Sequence, residues 1–524
     1  MFNTNEIICL HIISTNIVLK MLFMLLIIIL IIAIIVIMMM NYDPCHIDDT
    51  YANPTLPTAY VIDYANDVSE LNKLPVSNII YVKTTEDIMN VMDRATKENK
   101  HISIRGQKHS MGGHTIAEMG YVIDMKYMNN VIETNIINKY VSVEAGMSWH
   151  ELIVYLNKFG YSPMILQSYS TFSIGGSISV NAHGVTSDNS VSSSVIEIKA
   201  ITSDGTKVTC NKHHNSELFS LIMGGYGLFA IIYGVTLKIV PNRQLELSTF
   251  NLNISNFVKK YEELQKDKTI NIKLARIDIT NMNDIYLYVL KHDIKKSKQI
   301  IVSNLSSSPH EMSYPSNVLY KWLLPLTFFQ KIRYKIENFI NKPIDIPKLS
   351  SRNDILYESA TPMAKLYSPF VTLNKTHILQ EYFIPKKHFS KWMSFLKYVF
   401  VNINSKNISL LNITIRYINK DNNTFLNYAK HNMYAFVFYY RINKNKCAVK
   451  ELIDLEHKLI NMTVDLNGTF YLPYLCSYTE MQLKKAYPHI TQFIKLKQSY
   501  DKNNLFSNKW YRYIVDLCYV YSKN

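Results

Sequence analysis

Three glycine-rich segments lie close together in the first half of this 524-residue chain, and they constrain its fold more than any other feature. The first segment is IRGQKHSMGGHT (104–115), the second is SYSTFSIGGSISVNAHG (168–184), and the third carries Gly224, Gly225 and Gly227. Glycine lets a backbone approach a ligand closely and adopt positive φ angles. Ordinary turns explain each segment alone, but not their occurrence together. The three therefore predict one large ligand with a pyrophosphate, bound by successive backbone N–H groups.

Short strands and helices alternate around these segments, a pattern that predicts an α+β fold. One helix is expected to begin at Thr84 or Thr85, and a second to begin at Ser148 and end at Gly160. Helical spacing predicts that the first helix buries Ile88, Val91, Met92 and Ala95.

A run of twenty residues without charge, MLFMLLIIILIIAIIVIMMM (21–40), is long enough to cross a bilayer as a helix. No small-residue cleavage site follows it, so a retained anchor is expected rather than a signal peptide. Lys20 precedes the run, and no Lys or Arg follows before Lys73. This asymmetry predicts a single-pass membrane protein whose catalytic part lies on the non-cytosolic side.

The chain divides into five expected regions. These are an N-terminal segment with the membrane helix (1–45), a linker (46–74), a cofactor domain (75–242), an α+β substrate domain (243–470) and a C-terminal segment (471–524). Within the substrate domain, the aromatic and basic stretch 318–340 is predicted to be a buried helix pair broken at Pro325. A surface that contacts lipid or an apolar substrate is the alternative.

Charge and cysteine content give weaker indications. The net charge is +15, but no dense Lys/Arg block stands out, so no nucleic-acid partner is expected. The six cysteines show no C-x-x-C spacing, and a disulfide cannot be assigned. His109, His114 and His183 lack the thiolate or carboxylate company typical of zinc sites, so no metal is expected.

Four stretches, in order, resemble the FAD-binding domain of the vanillyl-alcohol oxidase and p-cresol methylhydroxylase (PCMH) family. They are IRGQKHSMGGH, EAGMSWHELIVYL, SYSTFSIGGSISVNAHG and LIMGGYGLFAII. YDKNNLFSNKW near the C-terminus is similar to the family's D-P-x-x-x-F-x-N motif, with Lys502 in place of the proline. The resemblance implies a two-part PCMH-type FAD-binding domain with an α+β substrate domain, here preceded by one transmembrane helix.

The resemblance also implies how FAD is held. The pyrophosphate would bind the loop 105–110, the adenine would lie near Gly227 to Ile231, and the C-terminal segment would close over the flavin. Many members link the flavin to the histidine of a G-x-x-H-S loop, where His109 stands here. Tyr169 and Ser170 occupy the region in which doubly linked members have a cysteine, so a single histidyl link is expected. The cofactor-binding candidates are Arg105, Gly106, Gln107, Lys108, His109, Ser110, Gly112, Gly113, His114, Ser173, Gly175, Gly176, Ser177, Ser179, Asn181, His183, Gly184, Gly227, Ile231 and Asn508.

The reaction implied is oxidation of a carbon bearing OH or NH by hydride transfer to flavin N5. The protein would position that carbon and accept the hydroxyl proton. Glu381 is the first candidate, because the matching segment of relatives borders the flavin. A structural ion pair or a solvated position is the alternative for each candidate. The full set is Glu381, Tyr382, Arg416, Tyr471, Gln482 and Lys509.

The expected substrate is a small-molecule alcohol, a sugar-derived compound or a lipid-linked compound, with oxygen or another electron acceptor and the lipid bilayer as partners. The H-W-G-K motif of sugar-lactone oxidases is not evident. A protein that keeps the fold and binds flavin or a partner without catalysis is the alternative.

Overall fold

The computed structural model describes residues 63–186, 188–293, 299–302, 305, 349–358, 374–401, 405 and 407–519. The predicted membrane helix (21–40) and the aromatic stretch 318–340 lie outside these residues. In the part that is described, no helix combines the length and apolar composition needed to cross a bilayer.

Residues 63–74, at the end of the expected linker, are folded. Strands β1 (Asp63–Ala65) and β2 (Leu74–Val76) pair antiparallel. Between them, the Asp67 carboxylate accepts a hydrogen bond of 3.0 Å from Gly113 N, and the Asn72 amide donates one of 2.9 Å to Met111 O. These contacts join residues about forty positions apart, which local periodicity does not reveal. The linker prediction is therefore corrected for residues 63–74.

A small parallel sheet with strand order β3-β5-β4 flanks the first segment, which lies between β4 and β5 in sequence. Helix α1 begins after Thr84, whose side chain accepts from Asp87 N in a reciprocal capping box. Its buried face is Ile88, Val91, Met92 and Ala95, as the spacing predicts. The elements are β3 (Asn78–Tyr81), α1 (Thr85–Lys97), β4 (Ile102–Arg105) and β5 (Tyr121–Asp124).

The other two glycine-rich segments lie in the connections of a second sheet, which is antiparallel. Its strand order is β10-β9-β11-β7-β6, and β8 also pairs with β11. Ser148 caps helix α2, and Gly160 follows the helix with a φ of 72°, as expected. The elements are β6 (Val131–Asn135), β7 (Tyr140–Glu144), α2 (Trp149–Asn157), β8 (Tyr161–Pro163), α3 (Ile174–Ser179), β9 (Val195–Thr202), β10 (Lys207–Asn211), α4 (Ser216–Ile222) and β11 (Ala230–Pro241).

An eight-stranded antiparallel sheet follows, with strand order β15-β12-β14-β13-β17-β18-β16-β19. The mixture of helices with largely antiparallel sheets confirms the α+β class. The elements are β12 (Gln244–Asn253), α5 (Ile254–Gln265), β13 (Ile270–Ile277), β14 (Asp284–Lys291), β15 (Leu349–Ser351), α6 (Arg352–Glu358), β16 (Lys375–Pro385), α7 (Phe389–Val401), β17 (Ile408–Ile418), β18 (Met433–Asn443), α8 (Lys446–Asp465) and β19 (Thr469–Phe470).

The C-terminal segment contacts the parallel sheet formed by β3, β4 and β5. Helices α9 (Glu480–Ala486), α10 (Ile490–Tyr500) and α11 (Lys509–Tyr519) form it. Ile102 of β4 donates from its N–H to Leu505 O and accepts from Ser507 N, at 2.7 and 2.9 Å. Residues Pro57–Asn524 form one compact unit, so the domain boundaries at 242/243 and 470/471 stay predictions.

Candidate functional site

At the centre of the first segment, the backbone N–H groups are available to a ligand. Lys108 and Gly113 adopt left-handed conformations, with φ of 57° and 72°. Among the described residues, the N–H groups of Gln107, Lys108, His109 and Ser110 find no hydrogen-bond acceptor. Successive unpaired N–H groups in such a turn bind anions. This stretch can therefore take a pyrophosphate.

Arg105 brings less charge to the first segment than the sequence suggests. Its Nε lies 2.7 Å from Asp124 Oδ2, and both side chains are buried. The two residues face each other in the register of β4 and β5. The exposed Lys108, which has no ion-pair partner in the described part of the chain, is the cation left to meet a phosphate.

The second segment packs directly against the first. A Cβ placed on Gly106 would lie 2.0 Å from Ser173 Oγ, so a side chain at this position forces the two segments apart. Gly175 N donates to Ala145 O at 2.8 Å. The Ser177 hydroxyl donates to Ser173 O and accepts from the Trp149 indole, both at 2.9 Å. Ser177 thus holds helix α3 in place, and its hydroxyl is already engaged.

The third segment is fastened to the second. Gly224 N donates to Ile178 O at 3.0 Å, and Tyr226 N donates to Ser179 O at 2.9 Å. The amide of Asn508 donates to Tyr226 O at 3.2 Å, which adds the C-terminal segment to the cluster. The structure therefore brings the three segments and the C-terminal motif together.

Other cofactor candidates serve the packing of these segments. Gly184 is required because a Cβ there would lie 1.8 Å from Leu166 O. The amide of Asn181 donates to the Asp421 carboxylate at 2.9 Å, which joins the second segment to the loop after β17. Ile231 is wholly buried within β11. Gly227 takes a φ of 74°, and Gly176 would bring a Cβ to 2.8 Å from Ser173 Oγ.

The two histidines of the first segment lie in different surroundings. His109 is half-buried and stacks on Phe172, with ring centroids 4.1 Å apart. His114 is buried and stacks on Trp510 at 5.2 Å. Burial lowers the pKa of His109 to about 4 and that of His114 to about 3. Both are neutral at pH 7, and His109 is the more accessible of the two to a ligand.

Glu381 meets a residue of the second segment. Its carboxylate hydrogen-bonds Nε2 of His183, and both side chains are buried. Nδ1 of His183 is buried and has no partner among the described residues. The rings of Phe383, Tyr428 and Tyr471 surround this imidazole at 5.5 to 6.1 Å. A carboxylate–imidazole pair thus joins β16 to the cofactor segments.

Arg416 lies beside this pair. Thr414, Val437 and Glu381 are aligned across β17, β18 and β16, so Arg416, two residues after Thr414, shares their face. Its guanidinium hydrogen-bonds the hydroxyl of Ser168 and approaches His183 O at 3.5 Å. Its Nε is buried without a partner in the described residues.

Two further catalytic candidates, Tyr471 and Gln482, have structural contacts. The Tyr471 hydroxyl donates to Val180 O at 2.8 Å, and its N–H donates to Glu381 O at 3.0 Å. The Gln482 amide caps its own helix α9 and donates to Asn461 Oδ1 at 2.8 Å. Gln482 therefore stabilises the C-terminal helices and does not join the Glu381 pair.

Lys509 and Tyr382 also lie apart from the Glu381 carboxylate. Lys509 donates to Asn72 Oδ1 at 2.6 Å, and its side chain packs over Gly113. Lys509 therefore contacts the first segment and not the His183–Glu381 pair. Tyr382, the residue after Glu381, is fully buried beside Trp392 on the opposite face of the strand.

Several residues at the site escaped sequence reasoning. Asp67 and Asn72 support the first segment from the expected linker. Glu456 is wholly buried on α8, where Gln380 and Ser477 hydrogen-bond its carboxyl group, and burial raises its pKa to about 8. Both cases depend on contacts between distant parts of the chain, and no local pattern signals them.

These residues fit FAD. The open N–H groups of the first segment and the cation of Lys108 suit a pyrophosphate. The Ser110 hydroxyl is buried without a partner in the described residues, which leaves it for a ligand. Gly112 is held closely, since a Cβ there would lie 2.6 Å from Tyr474 O. No group of three potential metal ligands occurs in the described part of the chain.

Comparison with known proteins points the same way. Residues 76–211 match the family described as FAD binding domain. The chain is 27% identical over 206 residues to cytokinin dehydrogenase 2 of Arabidopsis thaliana, covering 38% of this chain and 41% of that protein. It is 29% identical over 168 residues to L-gulonolactone oxidase of Bos taurus, covering 32% and 38%.

A third relative is an uncharacterized oxidoreductase of the fasciation locus of Rhodococcoides fascians, 26% identical over 215 residues, covering 40% of this chain and 47% of that protein. The chain matches less than half of the length of each of these relatives. The first two glycine-rich segments lie within residues 76–211, the third follows them, and all three converge in the structure. The matched region is therefore an FAD-binding domain, and the chain is similar to FAD-linked oxidoreductases such as these relatives.

Proposed function

We propose that this protein is a membrane-anchored, FAD-dependent oxidoreductase that oxidises a CH–OH or CH–NH group of a small molecule. The hydrogen bond between His183 and Glu381 is the observation that carries this proposal. It joins the second segment, which belongs to the cofactor half, to a carboxylate on the eight-stranded sheet. A protein that only bound flavin would have no need of an acid–base pair beside the cofactor segments.

The contacts suggest a separate role for each part of the site. The first segment binds the pyrophosphate through its N–H groups, and the packing of Gly106 on Ser173 keeps it in place. The His183–Glu381 pair takes up the proton that leaves the substrate. Arg416 orients polar groups of the substrate from the same sheet face. Bound FAD would supply the hydride acceptor, flavin N5.

A single covalent link through His109 is part of the proposal. Its low pKa keeps the imidazole neutral, which is the nucleophilic form. Stacking on Phe172 and Tyr169 restricts the orientation of its ring. No cysteine lies in the second segment, so no second link is proposed.

Anchoring by residues 21–40, with the catalytic part on the non-cytosolic side, is also proposed. The charge asymmetry around the apolar run supports this orientation. Cys447 is disulfide-bonded, which is typical of proteins in oxidising compartments.

Anaerobic titration of the purified protein with candidate substrates tests the proposal. The names of the relatives suggest L-gulonolactone and a cytokinin as probes for the CH–OH and CH–NH classes, and a long-chain alcohol represents lipid-like compounds. Loss of the flavin absorbance band at about 450 nm with one class of substrate would support the proposal. Admission of oxygen then shows whether oxygen is the acceptor. Binding without any bleaching across the panel would favour a protein that has lost catalysis.

A further inference from the structure

The structure assigns the proton-accepting role to Nδ1 of His183, and to Glu381 the role of holding and orienting that histidine. This inference rests on the proposed function. It reverses the expectation from sequence, in which Glu381 accepts the proton directly and His183 only contacts the cofactor.

The hydrogen-bond pattern of His183 is the first argument. A carboxylate can only accept, so Glu381 keeps the proton of a neutral imidazole on Nε2. The lone pair of that imidazole is then on Nδ1. Nδ1 is buried and unpartnered in the described residues, which is unfavourable unless a donor arrives. A substrate O–H or N–H is such a donor.

The engagement of Glu381 is the second argument. One carboxylate oxygen is bound to His183, and the side chain is only 2% exposed. A carboxylate that holds a histidine in one tautomer acts through that histidine, as in hydrolase triads. Glu381 is therefore a positioning residue, and His183 is the catalytic one.

The remaining groups around His183 do not compete for the proton. Arg416 approaches its carbonyl oxygen and is always charged. Burial raises the pKa of Tyr428 and Tyr471 well above the usual range, so both phenols stay protonated. Their hydroxyls already donate to Asn181 O and Val180 O.

The step balances in atoms and charge. The C–H bond of the substrate breaks, and bound FAD would supply the acceptor for the hydride that leaves with the electron pair. The O–H or N–H bond breaks, and its proton passes to Nδ1 of His183. A C=O or C=N double bond forms, and the positive charge on the imidazole is stabilised by Glu381.

Stopped-flow measurement of flavin reduction against pH, with the full-length protein in detergent, tests the assignment. For the unmutated protein we expect the rate to rise with pH to a plateau. His183→Gln should lower the rate by about 10²–10⁴-fold and abolish this rise. Glu381→Gln should lower it by about 10–100-fold and keep the rise, because His183 is still present.

Chemical rescue provides a readout that a structural role would not give. Added imidazole should restore flavin reduction in His183→Ala but not in Glu381→Ala. If the His183 variants lose FAD, the pH profile of Glu381→Gln decides the question. A retained rise of the rate with pH supports the assignment, and a missing rise overturns it.

Other results would contradict the inference in separate ways. If His183→Gln keeps the rise while Glu381→Gln loses it, Glu381 accepts the proton. If His183→Gln changes the flavin spectrum and leaves the pH profile intact, Nδ1 binds the flavin. If no substrate reduces the flavin of the unmutated protein, the proposed function itself fails.

Discussion

At the residue scale, His109 and His114 show how packing separates two side chains that look alike in sequence. They lie five positions apart in the same glycine-rich segment. His114 is enclosed by Trp510 and Tyr226, whereas His109 rests on one face of Phe172 and remains half-buried. Because its ring is less enclosed, His109 is the better candidate for covalent attachment of the flavin.

We expect His109→Ala to abolish covalent flavin. Acid-denatured unmutated protein should fluoresce under ultraviolet light on a gel, and the variant should not. His114→Ala is the matched control and should keep the fluorescent band. Release of all flavin from the denatured unmutated protein would disprove the link while leaving the FAD assignment intact.

Gly106→Ala should weaken FAD binding by about tenfold or more. The new Cβ would overlap Ser173 Oγ, and relieving such overpacking costs roughly 1–3 kcal/mol. Gly234→Ala is the control, because a Cβ there meets its neighbours at an ordinary 3.4 Å. The flavin-to-protein absorbance ratio measures the effect. Equal flavin content in both variants would show that the contact between the two segments is unimportant.

At the element scale, the buried turn after α10 shows why the C-terminal motif has its residues. Asp501 pairs with Lys497 at 2.6 Å, and both side chains are wholly buried. The same carboxylate accepts from the N–H groups of Leu505 and Phe506 at 2.9 and 2.8 Å. Those residues then pair with β4. Lys502, which replaces the family's proline, is exposed and makes none of these contacts.

Asp501→Asn should destabilise the protein by about 3–5 kcal/mol, because it leaves the buried Lys497 cation without its counter-charge. Lys502→Ala, on the surface, should change stability by less than about 0.5 kcal/mol. Thermal unfolding of the two variants makes the comparison. A similar Tm for both would mean that the ion pair is dispensable.

Elements with local signals could be predicted, and contacts between distant elements could not. The caps at Thr84 and Ser148 and the buried face of α1 follow from neighbouring residues. The pairing of His183 with Glu381 spans 198 positions and depends on how two sheets meet. Gln482 is a similar case. The sequence cannot distinguish a polar residue that caps a helix from one that takes part in catalysis, and the structure shows that Gln482 caps α9.

At the scale of the whole molecule, the folded residues 63–74 determine how much of the N-terminus can be removed without loss of FAD binding. Removal of residues 1–40 should release a soluble protein that still binds FAD, since the described contacts to the first segment begin beyond it. Removal of residues 1–74 should lose most of the flavin, because Asp67 and Asn72 support Gly113, Met111 and Lys509.

Flavin content of both truncated proteins, with carbonate washing of membranes that carry the full chain, tests this. Full-length protein in the carbonate wash would contradict a spanning helix. Full flavin in the shorter protein would show that residues 63–74 are not needed for binding.

The pairing of Leu505 and Ser507 with Ile102 has a consequence for protein synthesis. Strand β4 lies at the rim of its parallel sheet, with β5 on one side and the C-terminal segment on the other. Until the ribosome has made residue 507, the second side of β4 remains an open edge, and open edges recruit other strands. A nonsense mutation between codons 471 and 505 would therefore spare the strands of both large sheets and still leave an aggregation-prone product.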